Sequence, residues 1–337
     1  MPIKTYREAI TEALMIEMDR DERVIVMGED IAGGAGGSAN NRDNQNGIFG
    51  TYPQFHARYG ENRFIDTPIS EAAIVGAAAG AALAGLRPVV EIMFADFIGY
   101  CLDQIMNQAA KFRYMFGGKS RTPMVLRTAY GAGLSAAAQH SQAIYPIITH
   151  IPGVKVAVPS KPADVKGLML TAIRDDDPVV FFDHKALFGV QGEVPEGDTP
   201  IPFGKGMRYR EGKDATVVAI GRMVHFSEAV VDKLAKEAGI TCDVIDPRTT
   251  SPLDEDIILS SVEKTGRLII VDESTPRCSV AGDISSMVAM KGFDFLDAPI
   301  ELVTSAHSPV PFAPNLERAF LPSGGKIEEA IRKAVEY

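Results

Sequence analysis

Apolar residues alternate between two rhythms along this chain. Short unbroken runs such as Arg23-Val24-Ile25-Val26-Met27 predict buried strands, and longer stretches with apolar residues three and four apart predict helices. The first helix is predicted over residues 6–18, because Thr5-Tyr6-Arg7-Glu8 forms a capping box and Ile10, Leu14 and Met18 share one face behind it. Further strands are predicted at 64–68, 88–94, 123–128, 154–158 and 178–182. Helices are predicted at 71–84, with Ser70 as N-cap, at 97–114 and at 163–174. Strands that alternate with helices predict a parallel sheet covered by helices. Residues 33–50 are rich in Gly and Asn and have almost no apolar period, so a long loop is expected there.

From 187 to 204 the sequence turns to Gly, Pro and acidic residues, the signature of a linker. The alternation then restarts, with strands at 216–220, 241–245, 268–271 and 300–303 and helices at 224–238, 254–264, 280–291 and 326–335. The expected fold class is therefore α/β with two parallel-sheet domains, 1–186 and a smaller 205–337, joined by the linker 187–204.

Composition narrows this picture. A chain of 337 residues with 46% hydrophobic and 23% charged positions suits two soluble domains. A net charge of −10 argues against nucleic acid and anionic membrane surfaces as partners. Cys101, Cys242 and Cys278 are far apart and form no metal-type spacing, which points to a reducing compartment. MPIKTYREAI lacks the basic-then-apolar order of a leader, and the most apolar stretch, 72–86, is mostly Ala and Gly. The expectation is a cytoplasmic protein that does not span a membrane.

Standard catalytic signatures are missing: there is no GxSxG, no GxxxxGK[ST] and no HExxH. The glycine run 33–37 is followed by no predicted helix, so the fan of amides that holds a phosphate is not expected. Asp66-Thr67-Pro68-Ile69-Ser70-Glu71 is more specific, because it sets a carboxylate in the first turn of a helix with almost no side-chain bulk. The plain alternative is a carboxylate that complements the helix dipole.

These residues carry a resemblance. DTPISE, the Ala/Gly helix behind it and GLRPVVEIMFADF resemble the β subunit of the thiamine-diphosphate-dependent dehydrogenases, the first enzymes of the 2-oxo-acid dehydrogenase complexes and of the acetoin system. DQIMNQAAKFRYMFGGK, AAAQHSQ, HIPGVKVAVPS, AIRDDDP, RTTSPLDED and VDE extend the resemblance over nearly the whole chain. NQAAKFRYMFGGK, GRMVH and TTSPLDED are most similar to the acetoin branch.

The resemblance implies a transketolase-like pyrimidine-binding domain followed by a transketolase C-terminal-like domain. It implies that this chain holds the aminopyrimidine end of thiamine diphosphate. A separate α subunit holds the diphosphate through Mg²⁺ with a GDG motif, in an assembly of two α and two β chains. Gly28-Glu29-Asp30 is not GDG, and Asn40-Asn41 stands at the wrong spacing for its companion asparagine. On the same basis Glu71 faces a ring nitrogen of the pyrimidine, Phe97 stacks on it, and His140 moves protons at the reacting carbon. Burial against apolar surface is expected to outweigh the helix start at Glu71 and let it share its proton. The backbone carbonyls of Met124, Ala172, Ile173, Asp175 and Asp177 match a loop that holds a structural K⁺. The second domain is implied in pairing the subunits and in docking the lipoyl-bearing dihydrolipoyl acyltransferase core, which the acidic surplus would suit.

The expected reaction is cleavage of acetoin with release of acetaldehyde and transfer of the acetyl unit to lipoamide. The alternative is oxidative decarboxylation of pyruvate or a branched-chain 2-oxo acid. More distant alternatives are a noncatalytic α/β binding module and a dinucleotide-binding oxidoreductase, but Val26-Met27-Gly28-Glu29-Asp30 lacks the GxGxxG that the latter needs. His225, and His307 with Pro309-Val310-Pro311, read as structural or interfacial.

Overall fold

A computed structural model of the chain describes residues 1–33 and 46–337, so most of the glycine run and Asn40-Asn41 lie outside the described residues. The chain divides into two compact units. One comprises Met1–Ala129, Ile147–Ala157 and Lys161–Pro202; the other comprises Tyr130–Pro146, Val158–Ser160 and Phe203–Tyr337.

The first unit begins with the expected capping box. Thr5 Oγ1 accepts the Glu8 N–H at 3.2 Å, and the Glu8 carboxylate accepts the Thr5 N–H at 2.7 Å. The helix Tyr6–Arg20 follows and buries Ile10, Leu14 and Met18. Six strands of this unit lie in the order Lys155–Ala157, Val179–His184, Val125–Tyr130, Arg87–Phe94, Val24–Glu29, Phe64–Thr67. Pairing is parallel within the first two and among the last four. Every residue of Val125–Tyr130 and of Val179–His184 is buried, as a sheet covered on both faces requires. Gln191–Glu193 pairs antiparallel with Ile3–Thr5, so part of the segment expected as linker is built into this unit.

Two expectations fail locally. The helix expected over 97–114 is broken into a 3₁₀ turn Ala95–Phe97, an α-helix Ile98–Asp103, a π-helix Gln104–Ala109 and a short α-helix Phe112–Met115. Cys101 leaves the helical region at φ −121°, ψ 16°. Gln104 instead packs where Gly76 of the helix Glu71–Leu83 leaves room; an added Cβ there would lie 3.4 Å from Gln104 Cγ. Apolar spacing alone does not separate α from π winding. Ser70 stands at the N-cap position but does not cap; its hydroxyl donates to the Pro68 carbonyl at 3.0 Å.

In the second unit the strands lie in the order Glu301–Thr304, Leu268–Asp272, Ala215–Ala219, Cys242–Asp246, Met207–Arg210. The first four are parallel and Met207–Arg210 is antiparallel to its neighbour. That last strand was not expected, because MRYR carries charge and no apolar run, as edge strands often do. Helices Met223–Ala238 and Gly324–Glu336 close one face over Val217, Val244, Ile269 and Val271. Among the described residues no helix is long and apolar enough to cross a membrane.

Candidate active site

Three neighbouring parallel strands of the first unit, Arg87–Phe94, Val24–Glu29 and Phe64–Thr67, end at the same edge of the sheet. Ligands of open α/β sheets bind outside the carboxyl ends of the strands. Here the first strand runs on to Phe97, the second ends on Glu29, and the third turns through Pro68 into Glu71. The close packing below this edge explains Gly28. A Cβ there would lie 3.0 Å from the Glu91 carbonyl oxygen and 3.1 Å from Ile31 Cγ2.

Glu71 opens its helix and is half-buried. Burial, followed by the charges of Asp30 and Glu71, pushes the Glu29 carboxyl above its ordinary range. Burial, with Glu71 second, pushes the Cys101 thiol up to about 12, so the sulfur beside this carboxylate stays neutral. The apolar burial expected at Glu71 is only partial. Its helix leaves Ala72, Ala73, Ala77 and Gly80 exposed, so full desolvation requires something placed over that face. Phe97 is half-buried and meets Phe94 edge-to-face at 5.8 Å and 88°; Phe94 meets Phe49 in the same way at 5.7 Å and 89°. Two buried polar atoms of these elements, Thr67 Oγ1 and Gln104 Oε1, have no hydrogen-bond partner among the described residues. Buried polar atoms left alone are costly and call for a partner. An aminopyrimidine has an aromatic face, ring nitrogens and an amino group. Phe97, the Glu71 and Glu29 carboxyls and the orphaned Gln104 oxygen fit it in chemistry. Among the described residues no cluster of three or more His, Cys, Asp or Glu side chains could hold a metal ion.

His140 belongs to the second unit, on a half-buried stretch of the loop 131–141. Four residues of that loop, Gly131, Gly133, Ser135 and Ala137, have positive φ of 96°, 104°, 52° and 62°. Glu71 and Phe97 are thus carried by one compact unit and His140 by the other. His225 in the second unit is engaged structurally, with Nε2 2.8 Å from the Ser160 carbonyl oxygen.

The turn expected to hold K⁺ is rich in cations of its own. Arg87 Nη1 donates to the Ile173 and Asp175 carbonyls at 3.0 Å each. Asp176 pairs with Arg87 at 2.9 Å and Arg121 at 2.8 Å, Asp175 pairs with Lys155 at 2.6 Å, and Arg113 pairs closely with Asp177. Ala172 O accepts the Asp175 N–H at 3.3 Å, and Met124 O accepts the Val179 N–H at 3.0 Å. The backbone oxygens fit a hard cation, but Arg87 competes for two of them.

One buried cluster carried no sequence signal. Arg127 lies directly opposite Glu91 in the strand register and pairs closely with it; its Nε is 2.5 Å from Asp183 Oδ2. The Tyr52 hydroxyl donates to Glu91 at 2.6 Å, and the Tyr6 hydroxyl to Asp183 at 3.3 Å. Glu29 and Gln104 were also missed; Glu29 could have been found by asking which side chain ends each strand.

The comparisons with known proteins bear on this site. Residues 4–191 match the model of the transketolase pyrimidine binding domain, and residues 204–327 match the transketolase C-terminal domain. The chain is 54% identical to the acetoin:2,6-dichlorophenolindophenol oxidoreductase subunit beta of Cupriavidus necator, over 97% of this chain and 96% of that one. Its Bacillus subtilis counterpart is 53% identical, over 95% and 94%. The pyruvate dehydrogenase E1 component subunit beta of Rickettsia felis is 44% identical, over 99% and 98%. A solved split gene transketolase, described as an inactive beta4 tetramer, shares the fold at a TM-score of 0.77 and 21% identity, covering 98% of both chains. Two transketolase-type domains in series and this near full-length identity lead to one conclusion: the chain belongs to the family of β subunits of the acetoin and 2-oxo-acid dehydrogenases.

Proposed function

We propose that this chain is the pyrimidine-holding half of an acetoin-cleaving, thiamine-diphosphate-dependent dehydrogenase, active only with an α subunit in an assembly of two α and two β chains. The observation that carries the reading is the placement of Phe97, Glu29 and Glu71 at the carboxyl ends of three adjacent parallel strands, with a bulk-free helix behind Glu71. When bound, thiamine diphosphate supplies a nucleophilic carbon for attack on a carbonyl. Glu71 holds and relays the proton at the pyrimidine ring nitrogen. Glu29, whose carboxyl is pushed above its ordinary range by burial and by the charges of Asp30 and Glu71, lies at the same strand edge. Phe97 orients the ring by its face. His140 gives or takes a proton at the substrate oxygen and at the incoming thiol. The α subunit supplies the Mg²⁺ and diphosphate site and covers the exposed Ala/Gly face. The acetyl unit passes to lipoamide on an acyltransferase core that docks on the second unit. The setting is the cytoplasm, where the Cys101 and Cys242 thiols, each pushed up to about 12 by burial, stay inert. The backbone carbonyls of Met124, Ala172, Ile173, Asp175 and Asp177 would hold K⁺, against competition from Arg87 at Ile173 and Asp175.

A second reading, decarboxylation of pyruvate or a branched-chain 2-oxo acid, is supported by the 44% identity to the Rickettsia felis subunit. Dye reduction by the purified αβ complex separates the two. Acetoin as the preferred substrate by kcat/KM is expected, and preference for a 2-oxo acid replaces the first reading with the second. A complex that retains no thiamine diphosphate removes both.

A further inference from the structure

The loop that carries His140 has a backbone that L-residues rarely adopt, with Ser135 and Ala137 at positive φ. Such a path persists only where its surroundings impose it. Within the second unit three side chains do so. Glu317 of the helix Pro314–Phe320 accepts the Gly133 N–H at 2.7 Å through Oε1 and the Ser135 N–H at 3.0 Å through Oε2. Glu273, from the VDE motif, accepts the Ala132 N–H at 2.6 Å. Arg222, from GRMVH, donates to the Ala132 carbonyl at 3.1 Å. Arg222 also lies across Gly133 so closely that a Cβ there would be 2.3 Å from its Nη1.

Glu317 is 3% exposed and Glu273 4%. The side-chain carboxylate of Glu317 is met by the Gly133 and Ser135 amides and the Ser135 hydroxyl, and by no cationic side chain among the described residues. Burying an acid against amides costs free energy unless those amides are fixed to receive it. Ala132 packs with Val310, Phe320 and Leu321, so the same helix also holds the loop by apolar contact.

We propose that Glu317 is a positioning residue: its carboxylate clamps the start of the 131–141 loop and thereby sets the imidazole of His140. This rests on the reading of His140 as the proton-transferring group. Glu273 and Arg222 fix the same loop at Ala132, and Glu317 fixes the two amides that follow.

The test is a double-mutant cycle in the αβ complex. Glu317→Leu lowers kcat ten- to a hundredfold while KM for acetoin changes less than threefold, and Glu317→Gln, which keeps one acceptor oxygen, restores part of the loss. In a His140→Ala background Glu317→Leu costs less than twofold further. An equal cost in both backgrounds, or wild-type turnover in Glu317→Leu, overturns the clamp. His140→Ala with wild-type turnover overturns the reading of His140 instead. Hydrogen exchange over 131–141 reads the clamp without activity: at least tenfold faster exchange at Gly133 and Ser135 in Glu317→Gln supports it, and unchanged exchange overturns it. That readout also serves if Glu317→Leu fails to fold.

Discussion

Glu91 and Arg127 face each other across two neighbouring parallel strands, and only 4% and 2% of their side chains reach the surface. Asp183, on the far side of the guanidinium, is wholly buried. One cation thus holds two carboxyls inside the first unit. Removing one partner of a buried ion pair costs about 3–5 kcal/mol, because it leaves an uncompensated charge. Arg127→Met strands both carboxyls, and is expected to lower unfolding free energy by at least that amount in denaturant titration. A loss under about 1 kcal/mol would show that the cluster is relaxed by water or by shared protons.

Asp183 gives the same cluster a pH dependence. Burial raises its carboxyl, against the pull of Arg127, from an ordinary 3.8 to about 6. The folded state therefore holds the proton more tightly than the unfolded chain. This contribution is fully present below about pH 4 and is lost as pH rises through 6, by an amount on the order of 2–3 kcal/mol. Comparing Asp183→Asn with the parent between pH 4 and 7 isolates it. The gap in stability should shift in the variant's favour as pH rises, and parallel curves would rule the contribution out.

In the proposed role of Glu71 at the pyrimidine, Glu71→Gln would keep the shape and one hydrogen bond but could not relay a proton. The expected result is an αβ complex with unchanged Tm and bound cofactor, and kcat reduced by about 10²-fold or more. Turnover within twofold of the parent would dismiss Glu71 as the proton relay.

A K⁺ held at the 172–177 turn, as proposed, would compete with Arg87 for the Ile173 and Asp175 oxygens. At a concentration tenfold above its Kd the ion adds about 1.4 kcal/mol, or about 2 °C in Tm. Melting in KCl and in tetramethylammonium chloride at equal ionic strength measures it. Coincident curves mean that the chain's own cations suffice.

Most elements were legible because each follows from neighbouring residues. Thr5 and Glu8 cap a helix three residues apart, and runs such as Leu268–Asp272 declare themselves as buried strands. The π winding at Gln104–Ala109 was not legible, since the spacing of apolar residues does not separate α from π winding. Met207–Arg210 was missed because an edge strand needs no apolar run, and Pro314–Phe320 because two turns with a proline at the start carry little periodicity. Glu71, Phe97 and His140 were named through motif resemblance, and the packing of each was not.

By itself the sequence determined the alternating strands and helices, the family, and the carboxylate at the head of a bulk-free helix. Those are properties of residue order, fixed by backbone periodicity and capping chemistry within a few positions. Only the tertiary structure decided that Glu29 joins Glu71, that Arg127 holds Glu91 and Asp183, and that Glu317 grips the amides of a loop 182 residues earlier in the chain. Such pairings come from sheet order and register, which bring distant side chains to one face or edge and leave no trace in local spacing.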